Sequence, residues 1–383
     1  MWCCLVGSEM CIRDRKRIRV MKMPNRNCLI QLSAKILLLC LMPTLVTAED
    51  LVYVSAKNDR AILVYRFDDS ALFLKQTLQL PAEPGALTFL KDRHLLLVAL
   101  RSSGELASCK VDPKTGRLKL LNIVSAGADP AHLSADASGQ FLLTAYYVAS
   151  KVSVHQIQSD GQLSVNSIQE FPTAEKAHAI NLSPDQKFAL VPHTGPDAIF
   201  QFRWDPARGR LVACKPDRFQ CPKSTGPRHL AWHPKIPNKI MVGNERGNSV
   251  TAYHLDPDSG QLSHLASAST LPNDYGEPNS TAEIKIHPSG QWLYVSNRGH
   301  HSLARIKINP NSLNLEWQDT TPTESVPRSF DLTDDGKYLL AAGESSGGIQ
   351  IYGIDQNSGK LTSIRRYNIA DGLWWILCTS IPD

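Results

Sequence analysis

Apolar and polar positions along the chain fall into one recurring unit. It opens on Pro or Ala with an apolar alternation and passes a Pro/Asp/Gly turn into an apolar strand. A polar turn, another strand and Asp-Pro-x-x-Gly-x-Leu complete it. The openings are Pro84-Gly85-Ala86-Leu87, Pro130-Ala131-His132-Leu133, Ala177-His178-Ala179-Ile180, Pro227-Arg228-His229-Leu230, Ala282-Glu283-Ile284-Lys285 and Pro327-Arg328-Ser329-Phe330. Their spacing of about 45 to 55 residues matches four-stranded propeller blades. The mid-unit turns agree, among them Ala137-Ser138-Gly139, Ser183-Pro184-Asp185, His287-Pro288-Ser289-Gly290 and Asp334-Asp335-Gly336. So do the late hairpin turns Asp112 to Gly116, Asp205 to Gly209, Asp256 to Gly260 and Asp355 to Gly359. Asp and Pro start such turns, and Gly supplies the positive φ.

Six units are complete and a fragment remains at each end. Leu51 to about Leu80 supplies three strands (LVYVSA, AILVYRF, LFLKQTLQL) without an opening one, and Gly372 to Leu377 is a lone apolar strand. Joined, they form a seventh blade. The expected fold is therefore all-β, a seven-bladed β-propeller whose ring is closed by strands from both termini, which leaves no exposed sheet edge in the closure. No helical period, P-loop or G-x-G-x-x-G following a strand interrupts the pattern, and no low-complexity linker divides it, so residues 49–383 read as one domain.

Composition changes the picture only at the front. The 383 residues are 42% hydrophobic and 20% charged, enough to build a large core. Residues 1–48 hold eight Lys/Arg and two Asp/Glu, so the formal +5 charge belongs to them, and the remainder has 33 basic against 34 acidic residues. That balance lacks the electrostatic footprint of a nucleic-acid binder. Met1 to about Arg15 (MWCCLVGSEMCIRDR) resembles a translated sequencing adapter, and residues 1–20 are read as a gene-model artefact. Residues 21–48 then form a signal peptide: Lys22, Arg26 and Lys35 precede the apolar run Ile36 to Val46, with Val46-Thr47-Ala48 before Glu49 as the cleavage site. The run is short for a bilayer span, so export is expected with no membrane span after cleavage, an uncleaved anchor being the alternative. Five of the nine cysteines lie in this leader; of the other four, Cys214 and Cys221 are close enough in sequence to bridge across a loop in an oxidising compartment. No C-x-x-C pairing suggests zinc.

Polar residues at the ends of the innermost strands are where a ring of repeats builds a site. His178 and Arg228 open such strands, and Glu245 and Arg298 end the second strands of two successive units (Val242-Gly243-Asn244-Glu245; Val295-Ser296-Asn297-Arg298). Two guanidinium groups, a carboxylate and an imidazole facing a channel suit an anionic substrate. The guanidinium fork binds carboxylate or phosphate bidentately, while His or Glu moves protons near neutral pH. The bland reading is that each only bonds a neighbouring blade's backbone. That reading weighs more heavily on His132, His229, His300 and His301, and Trp374-Trp375 reads as packing of the closing strand.

From about Leu51 to Ile376 the chain resembles the seven-bladed propeller family of bacterial 6-phosphogluconolactonases and fungal carboxymuconate cyclases. The resemblance rests on Asp129-Pro130-Ala131-His132-Leu133-Ser134, Ala177-His178-Ala179, Gly226-Pro227-Arg228-His229, Asn244-Glu245, Leu293 to Gly299, Pro327-Arg328-Ser329-Phe330 and Lys337 to Gly343. It implies hydrolysis of a sugar-type lactone in the central channel without metal or other cofactor. The catalytic set would be His178, Arg228, Glu245 and Arg298. Arg228 and Arg298, with His132 and Arg328, would bind a small anionic lactone, and His178 or Glu245 would activate water. A muconate-type lactonizing cyclase and an exported binding or scaffold propeller without catalysis are the alternatives. A phosphorylated sugar lactone is a cytoplasmic metabolite, so export points to another lactone or another role. The segment Tyr146 to Lys151 departs from the family pattern and is expected to carry a longer turn at one side of the mouth.

Overall fold

The computed structural model of the protein describes residues 50–381. The two leader segments, 1–20 and 21–48, lie outside the described residues. Seven four-stranded antiparallel sheets are strung along the chain. In blades 2 to 7 the inner strands are Pro84–Leu90, Pro130–Ala135, Asn181–Leu182, Pro227–Trp232, Thr281–Ile286 and Pro327–Leu332, near the expected openings. Blade 1 is the composite one. Its inner strand, Leu373–Ser380, pairs antiparallel with Asp50–Ala56, from Asp50 opposite Ser380 to Ala56 opposite Leu373. Among the described residues the only helical turn is the 3₁₀ segment Lys91–Arg93, and no helix is long and apolar enough to cross a membrane.

The core lies between blades rather than within one. Leu51, Tyr53, Ile62 and Val64 of blade 1 pack on Leu87, Leu96 and Val98 of blade 2. Their alternating neighbours Val52, Val54, Leu63 and Tyr65 pack on Leu340, Ala342, Ile349 and Ile351 of blade 7. The other junctions repeat this arrangement. A strand buried on both faces has no polar side, which is why Leu95–Leu100 is a continuous apolar run. Polar clamps add to the apolar contact. Side-chain amides imitate a strand partner: Gln76 accepts from Leu118 N at 2.7 Å and donates to Leu118 O at 2.9 Å, and Asn122 does the same with Leu163 and Gln169 with Leu211.

Two local devices set the channel end of each blade. In all seven, the pairing of the inner strand with the second shifts by one residue just inside its start, as between Pro227↔Asn244 and Leu230↔Val242. Such bulges re-aim side chains and break strict alternation. The turn after each second strand is four residues long and ends in the left-handed region, at Arg60, Gly104, Ser150, Asp197, Asn248, His301 and Gly347. This corrects one expectation: the turn Tyr147 to Ser150 is no longer than the rest, because Ser150 takes the left-handed conformation at φ 55 without a glycine.

The possible Cys214–Cys221 bridge is also absent. All four cysteines among the described residues are free and buried. Ala213 lies opposite Phe202, whereas Cys221 N donates to Asp197 O. Four strand positions separate the two thiols, roughly 13 Å at the usual rise, well beyond the reach of a disulfide.

Gly359 shows what the late turns require. It sits at φ 67, and a Cβ there would lie 2.3 Å from the Trp292 ring, whereas Gly127, at φ 70, has nothing within 4 Å. Gly127→Ala is expected to cost only the left-handed backbone term, about 1–2 kcal/mol. Gly359→Ala should cost clearly more, because the indole must also move. Urea unfolding of the two variants checks this, and equal losses would show that the indole contact contributes nothing.

Candidate active site

The bulge and the turn together place two residues from every blade at one end of the channel. The second residues of the inner-strand openings are Trp374, Gly85, Ala131, His178, Arg228, Ala282 and Arg328; the first residues of the turns are Lys57, Arg101, Tyr147, Thr194, Glu245, Arg298 and Glu344. A narrow recess is walled by Gly85, Ala86, Arg101, Ala131, His178, Arg228, His229, Arg328, Trp374 and Trp375. Consecutive residues (Gly85 with Ala86, Arg228 with His229, Trp374 with Trp375) face the same space, which regular strand alternation forbids and the bulge permits.

The structure brings together three of the expected residues, His178, Arg228 and Arg328, on the wall. Arg228 is 1% exposed; its Nη1 donates to Ala282 O at 2.6 Å and its Nε–H has no partner. Burial, then Arg298 nearby, pulls this guanidinium down to about 9, which leaves it charged at neutral pH. Glu245 and Arg298 are joined as an ion pair beside Arg228 rather than on the wall. Burial would raise the Glu245 carboxyl, but Arg228 and Arg298 outweigh it and hold the group below its usual range. Arg328 pairs with Glu344 at 3.5 Å, and Glu344 also accepts from the Trp374 indole N–H at 3.0 Å. His132 is one step deeper, with its ring against Trp375 and His229. His300 and His301 are elsewhere: His300 bonds Ser302 and packs on Tyr275, and His301 accepts from Val326 N.

Several residues join the site that sequence reasoning passed over. Arg101 stands on the wall, bonded to Asp129 at 3.0 Å, with its guanidinium 5.2 Å from Trp374 and 5.7 Å from Tyr147. Its position, first after a second strand, is that of Glu245 and Arg298, and that equivalence was the available signal. The Trp374–Trp375 pair both closes blade 1 and lines the recess; Lys57, Arg101 and Arg328 all stack on Trp374. Below them is an imidazole layer. His229 packs 5.0 Å from His178 and 5.3 Å from His132, ring centre to ring centre, and its Nδ1 lies 3.2 Å from Glu283. Burial and the cations around it hold His178 well below the ordinary imidazole range. Burial lowers His132 to about 3 and His229 to about 4. Burial opposes the Glu283 charge, yet His229 and Lys285 bring that carboxyl down to about 2. Among the described residues no group of three or more His, Cys, Asp or Glu is arranged to hold a metal ion.

A family profile described as "Lactonase, 7-bladed beta-propeller" matches residues 46–377. The 6-phosphogluconolactonase of Pectobacterium carotovorum subsp. carotovorum is 30% identical over 329 residues, spanning 86% of this chain and 98% of its own. That of Serratia proteamaculans is 29% identical over 329 residues, with the same shares. Among solved structures, the periplasmic gluconolactonase of Pseudomonas aeruginosa has a TM-score of 0.80 at 22% identity, covering 88% of this chain and 100% of its own, a likeness of fold.

The buried neutral histidines predict an acid sensitivity. A histidine whose folded pKa is depressed takes up its proton only on unfolding. Stability is therefore complete above about pH 6.5 and falls as pH drops toward the folded value. His132, His155, His193 and His229, depressed to about 3 or 4, act together in this window. Unfolding free energy should decline between pH 6.5 and 5, and His132→Gln should lessen the slope by about 1.4 kcal/mol per pH unit. Urea titrations across that range measure it; an unchanged slope would mean that His132 is protonated in the folded protein.

Proposed function

The chain belongs to the seven-bladed lactonase propeller family of lactone-hydrolysing esterases, and we propose that it opens a small anionic sugar-type lactone in the recess at the head of its channel. The observation that carries this reading is Arg228, a buried cation on the recess wall whose Nε–H has no acceptor. Such a donor suits a carboxylate, a phosphate or the oxyanion that forms when a lactone carbonyl is attacked. In this reading Arg228 polarises the carbonyl. Arg328 and Arg101, spread around Trp374, hold the substrate's anionic group while the indole faces its ring. Arg298 fixes Glu245 against Arg228, and the two together keep the guanidinium in place. His178 contributes a neutral imidazole to the substrate, and His132 supports the layer beneath.

The polarising charge is a guanidinium, so the chemistry proposed here needs no metal. The relatives' printed name, 6-phosphogluconolactonase, suggests the substrate class, and the signal-peptide reading of residues 21–48 suggests that this chain meets its lactone outside the cytoplasm. A sugar lactone that carries a carboxylate in place of the phosphate fits both.

The test is turnover of a lactone panel, phosphorylated and unphosphorylated, by the domain beginning at Glu49, with and without a chelator. Hydrolysis should survive the chelator. Arg228→Gln should lower kcat/KM by on the order of 10²–10³ while the cooperative unfolding transition persists. A folded wild type that opens no member of the panel, or a folded Arg228→Gln with full activity, would leave the binding propeller as the better account.

A further inference from the structure

Three groups at the site are able in principle to take a proton from water, and their surroundings differ. Glu245 is ionised but committed to Arg298. His178 faces Arg228, Arg328 and Arg101 with no carboxylate beside it, so a proton placed there has nothing to balance it. His229 is on the recess wall, 3% exposed, and is the one imidazole on that wall backed by a carboxylate. Glu283 is held in place behind that ring. Its carboxylate also accepts from Ile284 N at 3.1 Å, and its own N–H donates to Ser296 Oγ at 2.9 Å. An ionised Glu283 requires the His229 proton on Nδ1. The lone pair is then on Nε2, which is buried and has no partner.

Resting on the lactone-hydrolysis reading, we infer that His229 is the general base, with Glu283 as its positioning residue, acting from the layer beneath Arg228. Nε2 takes a proton from water as the water oxygen bonds to the lactone carbonyl carbon. Arg228 holds the resulting oxyanion. The ring C–O bond then breaks, and the imidazolium returns the proton to the departing alkoxide oxygen. Lactone plus water becomes hydroxy acid, and His229 is neutral again. The groups around His229 are Arg228 on its own strand, His132, His178 and Arg328 on other blades, and Glu283 with Lys285 on the next strand. Burial and Arg228 oppose the imidazolium; Glu283 opposes them and makes it attainable.

Two variants and one spectrum test this. His229→Ala should lower kcat by about 10²–10⁴ with little change in KM, and added imidazole should restore part of the rate. Glu283→Gln should lower kcat and move the acid limb of kcat/KM, expected near pH 4 in the wild type, to lower pH. In ¹⁵N spectra of the wild type His229 should carry its proton on Nδ1, and Glu283→Gln should lose that preference. If His229→Ala turns over like the wild type, the base lies elsewhere and the lactonase reading stands. Loss without imidazole rescue, together with an unmoved limb in Glu283→Gln, would reduce the pair to a structural role. Should His229→Ala fail to fold, a wild-type His229 protonated on Nε2 still overturns the inference. A wild type that opens no lactone defeats the reading itself before any variant is made, and the dyad falls with it.

Discussion

Everything in the molecule depends on the pairing of Leu373–Ser380 with Asp50–Ala56. Each blade buries both faces against its neighbours, so blades 1, 2 and 7 lack a complete core until the ring shuts. The closing strand sits at the centre of two junctions, with Ile376 and Cys378 in one and Leu377 packed on the other. It also carries the wall of the recess. Trp374 and Trp375 come from the last strand of the described chain, yet they stack on residues from blades 1, 2, 3, 5 and 7. Closing the ring and building the site are one event.

The fold was legible because it repeats. A turn needing Asp, Pro and Gly at fixed offsets imposes the same residues each time, and six copies make the period unmistakable even where a copy is weak. Blade 4 shows the margin: its inner strand pairs regularly only over Asn181–Leu182, but Ala177 still bridges His193 and keeps His178 at the mouth. Residue identities alone said less about the site. Glu245 and Arg298 were visible as charges among small neighbours, but their mutual ion pair crosses a blade junction and hides in the sequence.

His229 and Glu283 were hidden for a further physical reason. Strand alternation puts Arg228 and His229 on opposite faces, so placing Arg228 in the channel sends His229 into the core. The one-residue bulge removes that choice by turning both toward the axis. A bulge leaves almost no mark in composition, since any residue will occupy it. The contact with Glu283 then spans 54 positions and exists only because successive inner strands lie side by side. Cys214 and Cys221 failed in the opposite direction. Nearness in sequence is not nearness in space when the intervening residues run along a strand.

The two layers make different electrostatic demands on one small volume. Capturing an anion asks for positive charge facing the recess, and Arg101, Arg228 and Arg328 on its wall provide it, Arg101 and Arg328 with Asp129 and Glu344 as partners. Burial, together with that charge, opposes a second proton on an imidazole that has no carboxylate behind it, as the depression of His178 shows. A site with only the upper layer would bind its lactone and have no good place to store the proton that attack by water releases. Glu283 resolves the conflict locally. It lies one residue past the small Ala282, whose carbonyl fixes Arg228, so its carboxylate acts on His229 from behind while the Arg228 Nε–H keeps no partner. The bulge that places Arg228 and His229 side by side therefore separates anion capture from proton storage by a single residue along the strand.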